Sequence, residues 1–326
     1  MNVRGLFLSI IVASGGFVAG TSEVRADAVE IDQDPLFLVP PVKPALVMAV
    51  DDSGSMDSEI LLDANDGALW WDSDNDSFTG LGSNASGTGD VPAPGRLNFN
   101  TSGGNNSRWQ KYTYVFPNGS SNNDGRRLGL SDHHGVPPIP EFAFARSPEF
   151  NSIYFNPAIE YPPWPSEGSQ QFSDADEAAA QADPERGSQT WNLKQTVKRD
   201  DRHWTFTFYR GMTIPAGTEI KEADDDACSA EDIPEDWAAT TQDIEIKEDD
   251  CEVAVAYYPA TFWLKETTPE PAGFVGTPLT GGKAPDGSPM VGYEITPSNF
   301  SNYDEMMQRF ANWFQYYRKR PKLTRA

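Results

Sequence analysis

Twenty-seven glycines and 26 prolines are spread through this chain of 326 residues, and they restrict it to short regular elements. Both residue types favour turns and interrupt helices, so they predict short strands and loops rather than a helical bundle. Nine tryptophans and an aromatic share of 12% nevertheless indicate a packed core. We therefore expect a folded protein with one large domain or two ordinary ones.

The formal net charge of −24 and the few metal-binding side chains exclude several functional classes. A chain this acidic has no means of neutralising phosphates, which argues against nucleic acid as a partner. Two cysteines and three histidines cannot build a zinc array or a multi-histidine metal centre.

The first residues have the layout of a secretory signal peptide. A short positive start, Met1–Arg4, is followed by the apolar stretch Gly5–Gly20 and a small-x-small exit near Ala26 or Ala28. The alternative is a membrane anchor, but the apolar stretch is shorter than the roughly 20 residues needed to span a bilayer. We therefore predict a signal peptide over residues 1–28 and no transmembrane segment in the mature chain.

Export makes a disulfide between Cys228 and Cys251 the natural expectation, because disulfides persist outside the reducing cytosol. The bridge would close a short loop rich in carboxylates and hold together a segment that repels itself. The alternative is a pair of separate buried thiols.

The rest of the chain divides into segments that differ in residue composition. Residues 29–43 are an extended, proline-stiffened lead-in, and Pro44–Val50 is an apolar run that suits a strand buried on both faces. Residues 57–300 are rich in loops and β structure, with a possible helical turn or two over Asp174–Gln181. Within them, strand-like patterns appear at Lys111–Phe116, His203–Tyr209, Asp243–Ile246 and Val253–Trp263.

The chain ends in a predicted amphipathic helix, Asn302–Arg320, inside the segment 301–320. Ser301 or Asn302 serves as its cap, acidic residues occupy its first turn, and Arg318, Lys319 and Arg320 fall in its last turn. The residues at helical spacing form a wide apolar face and comprise Tyr303, Met306, Phe310, Trp313, Phe314 and Tyr317. A tail, 321–326, follows Pro321.

The strongest chemical motif is Asp51-x-Ser53-x-Ser55, directly after the apolar strand; together they make up residues 44–56. A carboxylate and two hydroxyls at alternate positions of a tight turn can converge on one hard cation, magnesium, calcium or manganese. Two other interpretations are an ordinary Asp/Ser turn and a catalytic role, in which Asp52 would act as in a secreted protease.

Three other features have weaker interpretations. Asp72, Asp74 and Asp76 resemble the start of a calcium loop, a possible second site that lacks the usual glycine and the closing acidic residue. The pair His133-His134 is interpreted as a surface pair rather than a pair of ligands. The large aromatic residues are expected in the core or an interface, with carbohydrate stacking as the minority alternative; they are Tyr154, Phe155, Trp164, Trp204, Phe262 and Trp263.

The order of these segments carries a family resemblance. Pro44–Met56 resembles the first strand and metal loop of a von Willebrand factor type A domain. Together with Gly67–Trp71, Tyr154–Trp164, Arg210–Thr218 and Phe310–Arg318, it resembles the amino-terminal region of the type IV pilus biogenesis and tip-adhesin family (PilY/PilC type). The resemblance implies an α/β fold: an incomplete type A-like domain (first strand, metal loop and first helix), split by a large, loop-rich β insertion, in a chain that is a fragment of a longer protein.

By the same resemblance, the expected function is type IV pilus assembly and cation-dependent adhesion rather than catalysis. The partners would be pilus components or minor pilins and a host or abiotic surface receptor. The location would be the periplasm, the outer membrane or the pilus tip. The main alternative is a secreted carbohydrate-binding β module, and a secreted protease using Asp52 is the next.

Overall fold

The computed structural model describes residues 59–61, 71–72, 77–78, 112–116, 133–166, 168–185, 189–200, 204–208, 211–223, 228, 232–247, 251–285, 287–319 and 322. The predicted signal peptide (1–28), lead-in (29–43) and strand with metal loop (44–56) lie outside these ranges. The chain divides into two compact units, Met1–Val50 and Asp51–Ala326, and every described residue belongs to the second.

The described elements are many short strands, one 3₁₀ helix and one α-helix. The 3₁₀ helix spans Pro140–Arg146, and the α-helix, α1, spans Tyr303–Tyr316. The strands are β1 (Trp71–Asp72), β2 (Ser77–Phe78), β3 (Tyr112–Tyr114), β4 (His133–Gly135), β5 (Ala180–Gln181), β6 (Thr190–Trp191), β7 (Phe206–Phe208), β8 (Thr213–Ile214), β9 (Glu219–Glu222), β10 (Ala238–Ala239), β11 (Ile244–Glu245), β12 (Cys251–Val255), β13 (Thr261–Lys265), β14 (Leu279–Lys283) and β15 (Pro289–Glu294).

The strands form several small sheets that are mostly antiparallel. The larger sheets have the orders β10-β9-β12-β7 and β13-β15-β14, and the remaining strands pair two by two. Only the pair β3–β4 is parallel among the described strands. The described part is therefore a mixed α and β structure, which is partly compatible with the expected α/β class. Its elements are short, as the glycine and proline content predicts.

Three predicted strand regions contain β3, β7 and β11. The fourth, Val253–Trp263, is two strands rather than one, because the chain turns at Tyr258–Ala260 between β12 and β13. Pro259 lies in this turn and has no N–H to continue a ladder. The hydroxyl of Thr261 donates to the carbonyl of Tyr258 at 2.7 Å and fixes the turn.

The predicted helical turn at Asp174–Gln181 is wrong. The carboxylate of Asp176 accepts a hydrogen bond from the backbone N–H of Ala178 at 2.9 Å, and its carbonyl accepts one from Ala179 at 3.1 Å. An aspartate that satisfies the following N–H groups in this way favours a turn over a helix. The segment then continues as strand β5, which pairs with β6.

Helix α1 is shorter than predicted. It ends at Tyr316, so Arg318 and Lys319 follow the helix rather than lying in its last turn. The backbone N–H groups of Tyr317 and Arg318 both donate to the carbonyl of Trp313, which closes the helix. Asn302 is at the predicted cap position, but its side chain makes no capping hydrogen bond. The residues after the helix can thus turn towards the interior.

Polar side chains of α1 bind the backbone of the neighbouring segment 174–182. Asn312 accepts from the N–H of Ala175, and Gln315 accepts from that of Gln181, both at 2.8 Å. Both side chains are buried. These bonds satisfy two backbone N–H groups of the segment, one in strand β5 and one before it.

Two glycines make room for Trp263 in the three-stranded sheet. A Cβ on Gly282 would lie 2.4 Å from the Trp263 ring, and one on Gly292 would lie 2.9 Å from it. Side-chain atoms do not approach so closely, so the buried indole needs glycine at both positions. Glycines inside strands often mark such a close approach.

The predicted disulfide between Cys228 and Cys251 is present, and both residues are buried. Cys251 opens β12, so the bridge ties the preceding acidic loop to the four-stranded sheet. In the described ranges, no helix is both long and apolar enough to cross a bilayer.

We expect the double substitution Cys228→Ala with Cys251→Ala to lower the free energy of unfolding by about 3 kcal/mol, because a cross-link of this loop length restricts the unfolded chain by that amount. Urea denaturation followed by tryptophan fluorescence measures the loss. The wild-type protein with a reductant should approach the variant, and the variant should not respond to the reductant. Equal midpoints with and without the bridge would contradict this expectation.

Candidate functional site

The residues predicted to hold a cation lie almost wholly outside the described ranges. This holds for Asp51, Ser53 and Ser55, and for Asp74 and Asp76 of the possible second site. Asp72 lies in β1 and pairs with Ser77 of β2, but its side chain is outside the description. Among the described residues, no group of three or more histidines, cysteines, aspartates or glutamates could hold a metal ion.

The described part of the chain begins at Glu59, four residues after Ser55. Hydrogen bonds anchor the segment 59–61 in the core. The carboxylate of Glu59 is buried, and its Oε2 accepts the backbone N–H groups of Val115 and Phe116 at 3.0 and 2.9 Å. Asn151 binds the same segment on its other side: its side chain donates to the carbonyl of Glu59 and accepts from the N–H of Leu61. The sequence that follows the candidate metal loop is thus held in the core.

The second oxygen of Glu59 faces a cation from the end of α1. Oε1 of Glu59 lies 2.9 Å from Nε of Arg318, and both side chains are only 1% exposed. The guanidinium also lies 3.9 Å from the centre of the Phe314 ring and donates to the carbonyl of Ala182 at 3.1 Å. A buried carboxylate needs such partners, because removal from water costs several kcal/mol per ion.

A second buried cation, Arg146, stands at the end of the 3₁₀ helix. It donates to three backbone carbonyls, those of Val115 at 2.8 Å, Val136 at 2.9 Å and Pro137 at 3.1 Å. Burial lowers the pKa of Arg146, and burial raises the pKa of Tyr154 and of Tyr257, which face it. The three carbonyls match the donor fork of a guanidinium, so this cation has a structural role.

Sequence analysis missed both buried charges. Glu59 follows Met56-Asp57-Ser58 and looks like any acidic residue of a loop. Arg146 offered a signal, because it ends the apolar run Phe142–Ala145, where an isolated arginine is unusual. Glu59 and Arg318 are far apart in sequence, and the carbonyl partners of Arg146 lie 9 to 31 residues away, so no local pattern identifies these partners.

A proline-lined cleft of about 380 Å³ lies between residues 148–158 and 264–272. Its carboxylate Glu149 accepts hydrogen bonds from the hydroxyl of Thr268 and the backbone N–H of Lys265. Glu149 therefore holds the turn after β13 in place.

The aromatic residues considered for carbohydrate stacking are buried. Tyr154, Phe155, Trp164, Trp204, Phe262 and Trp263 all belong to the interior. The large hydrophobic side chains exposed in the described ranges are aliphatic, Ile159 and Val275. The prediction that these aromatic residues form core is confirmed. His133 and His134 lie in β4, and the description does not extend to their side chains.

The two segments with the most specific family resemblance pack against each other. Phe155 meets Phe310 with ring centres 5.1 Å apart, and Tyr161 meets Tyr317 at 5.0 Å. The indole of Trp164 donates to the carbonyl of Tyr316 at 3.0 Å. We call this contact between 154–164 and α1 with Tyr317 the aromatic joint.

No family model, curated protein or solved structure matches the chain.

Proposed function

We propose that the chain functions in type IV pilus assembly and tip-associated adhesion, and that it binds surfaces through a divalent cation. It would be exported and act in the periplasm, the outer membrane or at the pilus tip. Its partners would be pilus components or minor pilins and a surface receptor. The disulfide Cys228–Cys251 is compatible with export, since such bridges persist in oxidising compartments.

The observation that carries the proposal is the aromatic joint. The resemblance to the pilus family depends most on Tyr154–Trp164 and on the helix around Phe310–Arg318. These segments are distant in sequence, yet ring contacts and two hydrogen bonds connect them, from Trp164 to Tyr316 and from Tyr317 to Pro162. Trp313 also donates to the carbonyl of Ile153, the residue just before the first segment. Two segments that carry a family resemblance because they build one structural unit are expected to be in contact, as these two are.

The cation role is proposed from the chemistry of Asp51, Ser53 and Ser55. One carboxylate and two hydroxyls supply hard oxygen ligands, and a cation held by so few protein ligands keeps open positions. A partner carboxylate can fill an open position, which links the metal to adhesion.

The double substitution Asp51→Ala with Ser53→Ala is expected to abolish cation-dependent attachment, because it removes the only anionic ligand of the motif and one hydroxyl. Attachment of piliated cells to a surface is measured with and without EDTA. Wild-type cells should lose attachment with EDTA and regain it with added magnesium, calcium or manganese. The variant should remain at the EDTA level under all these conditions.

Two controls make the result specific. Glu235→Ala with Asp236→Ala removes two exposed carboxylates outside both candidate cation sites and should leave attachment unchanged. Pili counted by electron microscopy separate adhesion from assembly. Attachment by the Asp51→Ala, Ser53→Ala variant at the wild-type level would contradict the proposed cation role. Attachment that resists EDTA but is blocked by a free sugar would favour the carbohydrate-binding alternative instead.

A further inference from the structure

The cleft between residues 148–158 and 264–272 has walls that are rich in proline. Four of the residues that line it are prolines, namely Pro148, Pro157, Pro269 and Pro271. A proline has no N–H to donate and its ring fixes φ, so these walls are preformed and poor in hydrogen-bond donors. The volume of about 380 Å³ lies near the lower end of the range for ligand sites. The cleft therefore suits a short segment that brings its own donors.

The charge of the cleft is negative. Among the described residues that line it, the charged side chains are both carboxylates, Glu149 and Glu270. The Glu149 carboxylate is held in place, because its oxygens accept from the hydroxyl of Thr268 and the backbone N–H of Lys265. Glu270 is exposed, and within the described ranges it has no ion-pair partner. Two carboxylates at one opening attract a cation.

Two cations adjoin the cleft walls, and each has contacts of its own. The ammonium group of Lys265 lies 4.9 Å from the centre of the Phe150 ring. Arg309 donates to the carbonyl of Pro157 at 3.1 Å and pairs with the carboxylate of Glu160 at 2.7 Å. Glu270 therefore remains open to a cation from a ligand.

The large hydrophobic side chains exposed in the described ranges both adjoin this cleft in sequence. Ile159 is 47% exposed and follows Ala158 of one wall, and Val275 is 65% exposed and lies three residues after Ala272 of the other. Scattered exposed apolar residues need no explanation, whereas those beside a cleft are typical of an interaction site. A ligand with an aliphatic side chain next to its cation would bury this surface.

We propose that the cleft is a docking site for an extended segment of a partner protein in which a lysine or arginine lies beside an aliphatic residue. The cation meets Glu149 and Glu270, and its aliphatic stem packs along the proline rings. A partner is favoured over a second copy of this chain, because two copies with a net charge of −24 each repel one another. The proposal does not depend on the pilus function or on a cation at Asp51.

Model peptides titrated into the isotope-labelled intact protein and followed by NMR test the docking site. The probes are the capped tetrapeptide Ala-Leu-Lys-Ala and its analogues with arginine, norleucine or glutamate in place of lysine. The lysine and arginine peptides should shift the amides of Asn156, Ala158 and Ala272 in a saturable way, and bind about fivefold or more tightly than the norleucine peptide, which keeps the stem without the charge. Equal binding of the norleucine or glutamate peptide, or unshifted amides at these positions, would overturn the proposal.

Matched carboxylate variants separate a local contact from the net charge of the chain. Glu270→Gln should weaken the lysine peptide by about threefold and leave the norleucine peptide nearly unchanged, because one exposed charge contact is lost. Glu245→Gln removes an exposed carboxylate of β11 that does not line the cleft, and should leave both affinities unchanged. Equal weakening by the two variants, or an unaltered affinity of Glu270→Gln, would overturn the proposal.

A blocked cleft tests the position and the occupant. Ala272 is exposed, so Ala272→Trp should keep the wild-type circular dichroism and lose about tenfold or more in affinity for the lysine peptide, because the ring takes up space that the peptide needs. Undiminished binding by this variant would overturn the proposal. Sedimentation at rising protein concentration checks for a second copy: dimers of the wild type that Ala272→Trp abolishes would identify this chain itself as the occupant and overturn docking of a partner.

Discussion

Replacement of Trp313 by alanine is expected to lower the free energy of unfolding by about 3–5 kcal/mol, since it removes a large ring from the centre of the core. Trp313 is 1% exposed and contacts the rings of Tyr154, Phe155 and Phe310 at 4.8, 6.0 and 5.1 Å. Its indole also donates to the carbonyl of Ile153 at 2.9 Å, and that carbonyl would lose its partner. A loss of this size is a large part of the stability of an ordinary domain.

Urea denaturation followed by circular dichroism measures the change. Trp313→Phe keeps a ring but loses the donor, so we expect a smaller loss, about 1–3 kcal/mol. Val275→Ala alters a side chain that is 65% exposed and should stay within about 0.5 kcal/mol of the wild type. A Trp313→Ala protein as stable as the Val275→Ala control would show that the aromatic joint does not hold α1.

Replacement of Arg146 by methionine is expected to destabilise the protein by about 3–5 kcal/mol, although methionine fits a buried position well. The reason is that the carbonyls of Val115, Val136 and Pro137 would lose the donors they now share. Buried carbonyls without donors cost roughly 1–3 kcal/mol each, and relaxation recovers part of this. Thermal or urea unfolding gives the value.

Lys198→Met provides the matched control, because Lys198 is 44% exposed and pairs with Glu219 on the surface. Its effect should stay below about 1 kcal/mol. Arg146→Lys should fall between the wild type and Arg146→Met, since an ammonium group keeps the charge but lacks the planar fork that reaches three carbonyls. If methionine and lysine at position 146 were equally harmless, the carbonyls would have found other donors and the structural role would be excluded.

The fold was predictable where a local pattern was strong. The spacing of Met306, Phe310 and Phe314 identified α1, because a helix repeats every 3.6 residues regardless of what it packs on. Strands β14 and β15 were missed, since Leu279–Lys283 contains two glycines and Pro289 opens the second strand. Their place depends on the Trp263 ring that fills the space above Gly282 and Gly292, a fact that no local window contains.

The cation chemistry of the candidate site stays a prediction, and the contacts of the segment that follows it could not be predicted from sequence. The oxygen-rich residues Asp51, Ser53 and Ser55 follow from local sequence, and they remain a prediction. The anchoring of the next segment by Glu59 was invisible, because its partners Arg318 and Val115 come from distant parts of the chain. The length of α1 was overestimated for the same reason. Arg318 suits the last turn of a helix, but it follows α1 and pairs with the buried Glu59.

The bonds from α1 to the backbone of 174–182 have a consequence for how this protein can diverge. On most helices, amides such as Asn312 and Gln315 face water and exchange freely for other polar residues during evolution. Here each side chain serves the main chain of another segment, Ala175 or Gln181, whose own side chains do not matter to the bond. Substitutions should therefore be tolerated at Gln181, whereas burial restricts Ala175 to small residues, and Asn312 and Gln315 should stay fixed. Two residues that look like solubilising surface would be among the slowest to change.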